Sequence, residues 1–370
     1  MKKSLALLLS LALTLSLCAC GGSAATPSPT PPAETQSAGT AAPSETRIFT
    51  DSVGRAVELP ARIDKVSVSG PMAQLVLFAL CPDKLVGIAN QWDPSAESYL
   101  DTDYYNLPLL GQLYGGKGEL NLETLLASGA QVVIDVGEPK DSIVEDLDAL
   151  QAQTGVPFVH ITATTRTTGD AYRLLGELVG MEAEAGTLAA YCEETYARAA
   201  AIAENVEKVD LLYITGPDGQ NVIARDSYHS EIIDLLSNNL AVVDSPSSKG
   251  TGNEVGMEQL LLWDPDYIIF APESAFDAVS GDPAWAQLTA VSTGRYYETP
   301  QGPYNWMGFP PSVQRYLGMM WMAKLLYPDA ADYDLYEETA RYYDLFYHCA
   351  LTREQYDALT ANSIGQLAGQ

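Results

Sequence analysis

Histidine is scarce: His160, His229 and His348 are the only three in the chain. No HExxH, GxSxG, P-loop or CxxC pattern occurs, so the usual sequence signatures of zinc hydrolases, serine hydrolases, nucleotidases and thiol redox proteins are missing. Past the amino-terminal stretch, Cys81, Cys192 and Cys349 are an odd number without paired spacing. They define neither a disulfide framework nor a zinc motif, and buried single thiols are expected. Positive charge is also short. Twenty Lys and Arg stand against 48 Asp and Glu, for a formal net charge of −28, which argues against nucleic acid as a partner.

At the amino end Lys2 and Lys3 precede an apolar run, residues 5–17, too short to span a bilayer as a permanent helix. The run ends Leu17-Cys18-Ala19-Cys20, which resembles the lipobox of bacterial lipoproteins. By that resemblance Cys20 becomes the lipid-bearing first residue after cleavage; a plain secretory signal cut near Ala24 is the alternative. Two or three acyl chains, at about 0.8 kcal/mol per buried methylene, would hold the protein on a membrane. Residues 21–46 are rich in Pro, Ser, Thr and Ala and nearly free of large apolar side chains. They cannot bury enough surface to offset their ordering entropy and read as a disordered tether.

The folded part is organised around residues 182–208, which lack Pro and, past Gly186, lack Gly. Leu188, Cys192, Tyr196, Ala199 and Ala203 mark one face of a helix about 36 Å long. Residues 121–139 before it and 256–274 after it align without a gap: Glu123 with Glu258, Leu125 with Leu260, Ile134 with Ile269, Glu138 with Glu273. Each copy predicts a short helix, a turn and a buried strand, so two similar lobes joined by a stiff rod are expected. Chance recurrence of Glu-plus-Leu helices before apolar strands is the alternative.

Residues 48–59 predict a β-hairpin around a turn near Gly54. In the first lobe, strands are expected at 66–69, 85–89, 109–111 and 157–161, with a helix at 72–80. In the second, strands are expected at 209–215, 240–243 and 267–271, and helices at 231–236, 257–263 and 312–326. The tail, 329–370, predicts one or two Tyr-rich packing helices. Strands alternating with helices imply parallel sheets, and ligands of such sheets sit beyond the carboxyl ends of the strands. In the first lobe those ends are residues 69–72, 90–92, 112–114 and 135–138.

The segments TDSVGRAVELP, KVSVSGPMAQLVLFAL, DKLVGIAN and NLETLLASGAQVVI, with Asp264-Pro265-Asp266 and Gly294-Arg295-Tyr296-Tyr297, resemble the iron/cobalamin periplasmic-binding-protein domain over about residues 48–328. Departures are Ala130-Gln131 in place of Pro-Asp, Ser69-Gly70-Pro71 in place of Ser-Pro-Ser, and the extra tail. The resemblance implies an α/β fold of two Rossmann-like lobes with central parallel sheets, joined by one long helix, with the ligand cleft between them. The layout becomes a lipoprotein signal (1–20), tether (21–46), first lobe (47–181), linking helix (182–208), second lobe (209–328) and helical extension (329–370).

It further implies the substrate-binding component of an ABC importer, held by a lipid on the extracytoplasmic face and working as a monomer with a permease and its ATPase. No reaction, no cofactor and no bound metal of its own is expected. The ligand implied is an iron complex of the ferric-siderophore type; haem, cobalamin or a molybdate- or tungstate-like oxyanion are alternatives. A non-transport adhesin or sensor is the reading from another class, while a two-lobed metalloenzyme would need the missing Cys clusters.

A cleft for a large complex needs flat apolar surfaces and a few oriented polar groups. Trp92, Tyr114, Tyr228, Tyr304 and Trp306, with Met72, are the expected lining. Tyr228 and His229 could ligate or stack on the ligand, against a purely structural His229. Arg225 is the first candidate for an anion-binding fork, with Lys249, Arg295 and Lys117 behind it and a solvated surface arginine as the alternative. By the resemblance, Glu123 and Glu258 dock on arginines of the permease. By themselves they are first-turn helix acids, each worth about 0.3–1 kcal/mol against the helix dipole.

Overall fold

The computed structural model describes residues 45–114 and 119–365. Cys20, the tether up to Ser44, and Lys117 lie outside the described residues. β1 (Thr46–Thr50) and β2 (Ala56–Pro60) form the expected hairpin. Its turn is tied down by Asp51, which accepts the Val53 and Arg55 amides and pairs with Arg55 at 3.1 Å. Arg55 also donates to the Phe158 carbonyl at 2.8 Å, which fixes the hairpin on the first sheet.

That sheet is parallel, in the order β3 (Val66–Val68), β4 (Val132–Gly137), β5 (Phe158–Thr162). The strands expected at 85–89 and 109–111 shrink to single bridges, Val66 to Leu85 and Ile88 to Leu109. Gly87 crosses so close to the neighbouring segment that a Cβ there would lie 2.6 Å from the Pro108 oxygen. Pro108 has no amide hydrogen to extend a ladder.

The second sheet runs β11 (Tyr296–Glu298), β10 (Tyr267–Phe270), β6 (Asp210–Thr215), β7 (Asn221–Val222), β9 (Asn253–Glu254), with β8 (Asn238–Asn239) also on β6. β10 is parallel to both its neighbours. The strand expected at 240–243 is displaced to β8. The Val242 amide bonds back to Leu240 at 2.8 Å, a tight turn that ends the ladder.

The repeat is real in the structure. Helix Leu122–Ser128 leads into β4 and helix Met257–Trp263 into β10, each strand paired on both sides in a different sheet. Leu125 and Leu260, matched in the alignment, are both fully buried. The matched positions Gly129 (φ 69°) and Asp264 (φ 40°) both take the left-handed turn that ends their helices.

The linking helix spans Glu182–Asn205, 24 residues, and stops where Val206 becomes extended. It buries Leu188, Cys192 and Ala199 of the expected face, and Tyr191 and Thr195 besides. It packs on helix Thr168–Val179, where a Cβ on Gly176 would meet Ala185 at 2.5 Å, and on helices Glu231–Leu236 and Gln314–Leu326. The tail supplies helices Leu335–Tyr347 and Arg353–Leu359. Tyr342, Tyr343, Phe346 and Tyr347 are buried, with Phe346 stacked on Tyr342 at 4.4 Å. The longer tail helix packs on both helix Pro71–Leu80 of the first lobe and helix Gln314–Leu326. Among the described residues no helix is long and apolar enough to cross a membrane.

Candidate functional site

The carboxyl ends of β3, β4 and β5 face the segment around Tyr228 and the start of helix Gln314–Leu326. Two adjoining cavities lie between them, of about 380 and 410 Å³. Met72, Val136, Glu138 and Tyr228 line both. The Tyr228 hydroxyl, 3.7 Å from the Met72 sulfur, is one of the contacts between the lobes at this divide. Met72 fits because β4 ends on Gly137: a Cβ there would sit 3.2 Å from the Met72 methyl.

The first cavity is built around Arg315, in the first turn of its helix and 5% exposed. Its Nη1 donates to Glu231 Oε2 at 2.9 Å and to the Thr165 hydroxyl at 3.2 Å; its Nη2 donates to the Tyr228 carbonyl at 2.8 Å. The guanidinium lies 5.4 Å from the Tyr228 ring. Its Nε is buried without a hydrogen-bond partner and rests against Gly308, where a Cβ would intrude to 2.8 Å. Burial pulls the Arg315 pKa below its ordinary value, with Glu231 and Tyr228 opposing the shift. Thr165 donates its hydroxyl to Glu231, and its carbonyl accepts from Tyr316 at 2.6 Å. Ser227 lines the same cavity, and its hydroxyl is buried without a hydrogen-bond partner. Arg166, held by the Tyr196 hydroxyl at 2.7 Å, sits on the rim.

The second cavity holds Asp135 and Tyr114. Asp135 accepts from Ser69 and lies 2.7 Å from His160 Nδ1. Tyr114 donates to Asp146 at 2.7 Å and carries the Lys140 ammonium 3.8 Å from its ring centre. Burial and the Asp146 hydrogen bond hold the Tyr114 phenol above its ordinary pKa.

Of the expected lining, Met72, Tyr114 and Tyr228 stand in these cavities, as do three of the four expected strand ends. The fourth end does not. Trp92 is buried against Phe78, ring centres 5.0 Å apart, and donates to the Tyr104 carbonyl. Tyr304 packs on Trp92, and Trp306 is buried under helix Gln314–Leu326, its carbonyl oxygen 2.2 Å from where a Cβ on Gly318 would lie. These aromatic residues line neither cavity, because the tail helix and the Pro71–Leu80 helix enclose them.

His229 also lines neither. It stacks on Phe309 at 4.9 Å, and burial, then the Arg315 charge, lower its pKa to about 4. Arg225 is turned away to Asn238 and the Asn239 carbonyl and steadies the β8 turn. Arg295 lies over the Tyr267 ring, and neither it nor Lys249 lines either cavity. Glu123 and Glu258 are exposed in the first turns of their helices. No group of three or more His, Cys, Asp or Glu among the described residues is placed to hold a metal ion.

Sequence reasoning passed over Arg315, Thr165 and Glu231. A signal for Arg315 existed: it is an arginine in QRYLGMMWMA, a helix apolar on nearly every side, where a charge needs a reason.

Two sheets bridged by one rod-like helix, with a cleft at the strand ends, make a two-lobed architecture. Residues 76–303 match the family described as "Periplasmic binding protein", and the chain belongs to that family, the solute-binding components of ABC transporters. Its fold is similar to an ABC transporter solute-binding protein from Sulfurospirillum deleyianum, with a TM-score of 0.77 and 26% identity, covering 85% of this chain and 99% of that one. A periplasmic solute-binding protein from Veillonella parvula matches with a TM-score of 0.71 and 26% identity, covering 87% and 99%. In sequence the chain is 22% identical over 333 residues to the molybdate-binding protein MolA of Haemophilus influenzae, covering 81% of this chain and 91% of that protein.

Proposed function

We propose that the chain captures an anionic, oxygen-rich metal complex of the ferric-siderophore type outside the cytoplasmic membrane and delivers it to an ABC permease. The observation that carries this reading is the pairing of a buried Arg315 with two adjoining cavities whose volumes fall in the range of small-molecule pockets. Arg315, Thr165 and Ser227 supply donors for ligand oxygens, and Met72, Val136 and Tyr228 supply apolar walls. A tetrahedral oxyanion is the second reading. It is favoured by the likeness to the Haemophilus molybdate-binding protein and by the compactness of the Arg315 donor group. Cys20 is the proposed lipid site, and the protein works as a monomer without catalysis.

Calorimetric titration with ferric siderophores, haemin, cobalamin and molybdate tests the ligand. Binding of cobalamin alone, or of no anion, would overturn the reading. Glu123 and Glu258, exposed on matching helices, are the proposed permease contacts. Reversing both charges (Glu123→Lys with Glu258→Lys) is expected to stop uptake with ligand affinity unchanged. Weakened affinity with normal uptake would refute the docking role.

A further inference from the structure

The charged side chains lining the first cavity are Arg166 and Arg315 against Glu138 and Glu231, so the lining itself is balanced in charge. The balance is local at Arg315. Glu231 sits 2.9 Å from its Nη1 and also takes the Thr165 hydroxyl, so one carboxylate joins both lobes to the guanidinium. The two partners differ in freedom: the Arg315 side chain is 6% exposed and the Glu231 side chain 37%. Arg315 is further pinned by the Tyr228 carbonyl and ring. Glu231 has a path into solvent that Arg315 lacks.

We infer that Glu231 is a resident counter-anion: it holds the guanidinium edge that an anionic solute takes, and the solute binds by exchange with this carboxylate. The inference rests on the reading of the cleft as an anion site. It makes Glu231 a specificity-determining residue. A simple monocarboxylate replaces like with like, gains no new interaction and loses the entropy of association. A dianionic oxyanion or a chelate presenting several oxygens reaches Arg315, Thr165 and Ser227 together and gains from the exchange. The device selects multiply charged or polydentate oxygen ligands over the common monocarboxylates.

The test is calorimetric titration of the whole protein with sodium molybdate, a ferric tris-catecholate and acetate, in wild type, Glu231→Gln and Glu138→Gln. A carboxylate about 5 Å from a bound anion at an effective dielectric of about 20 costs the anion more than tenfold in affinity. E231Q is expected to bind molybdate or the catecholate at least about tenfold more tightly and to admit acetate. E138Q removes the same charge from the same cavity without touching Arg315, and a smaller gain is expected.

Wild-type binding with no gain in E231Q, or an equal gain in E138Q, overturns the exchange and leaves the anion reading standing. No binding of molybdate or catecholate by any of the three proteins overturns both. If E231Q proves unstable, a crystal structure of the wild type with molybdate decides: Glu231 swung away from Arg315 supports the exchange, and an intact Glu231–Arg315 pair beside bound molybdate overturns it.

Discussion

The two copies of the helix–turn–strand unit are alike in architecture and unlike in use. β4 ends at Gly137, and Val136 and the following Glu138 line both cavities between the lobes. The matching end of β10, Pro272 and Glu273, lines a separate polar cavity with Asp93, Glu298 and tail residues Leu359 and Asn362. The tail closes that end: the Glu298 amide donates to the Asn362 carbonyl at 3.0 Å, and Trp321 Nε1 to the Ser363 carbonyl at 2.9 Å. A duplicated scaffold therefore does not duplicate the site. The second lobe reaches the cleft through Ser227, Tyr228 and Glu231 and through the first turn of helix Gln314–Leu326.

The largest test of this contrast addresses the tail as structural cover. Phe346 is 1% exposed and stacked on Tyr342, so Phe346→Ala should lower unfolding stability by about 3–5 kcal/mol in urea titration, with molybdate affinity unchanged. A loss under about 1 kcal/mol would make the tail an appendage and remove its role in closing the second lobe. Next, Arg315→Leu should weaken anion binding about 100-fold, roughly 2.7 kcal/mol, read by calorimetry. Unchanged affinity would place the site elsewhere.

His229 sharpens the comparison through pH. Its folded pKa of about 4 lies below the ordinary 6.5, so the unfolded chain binds the proton first. Its contribution to stability is complete above pH 6.5 and is lost as pH falls from there towards 4. His229→Phe, which keeps a ring against Phe309, should flatten the fall in melting temperature over that window. An identical slope would show that this imidazole is not the group titrating. The smallest effect separates the repeat mates: Glu138→Gln should strengthen anion binding about twofold, the scale of a partly exposed charge, while Glu273→Gln leaves it unchanged. Equal effects would mean that both strand ends face the solute.

The scaffold was legible because its signals are local. The long helix shows in its apolar steps, the repeat in its matched Leu125 and Leu260, and the strand ends in their order along the chain. The short strands at 85–89, 109–111 and 240–243 were misread because β pairing depends on a neighbour that periodicity does not contain. Gly87 against Pro108 and the tight turn at Leu240 decide those segments. The aromatic lining rests on residue type, and residue type does not tell a cleft wall from an interior: Trp92, Tyr304 and Trp306 are enclosed where the Pro71–Leu80 helix and the tail helix pack together. Arg225 and Arg315 show the same limit for charge, since both are arginines near second-lobe loops and only one is turned towards the cleft.

Sequence alone determined that this chain is an α/β protein of two related lobes on a helical rod, because hydrophobic period and self-similarity act over a few residues at a time. Tertiary structure alone decided which charges meet. Thr165, Glu231 and Arg315 are far apart along the chain and come within hydrogen-bond reach only when both sheets pack on the rod. The chemistry of the cleft is set by that distance, and distance across a fold has no counterpart in sequence order.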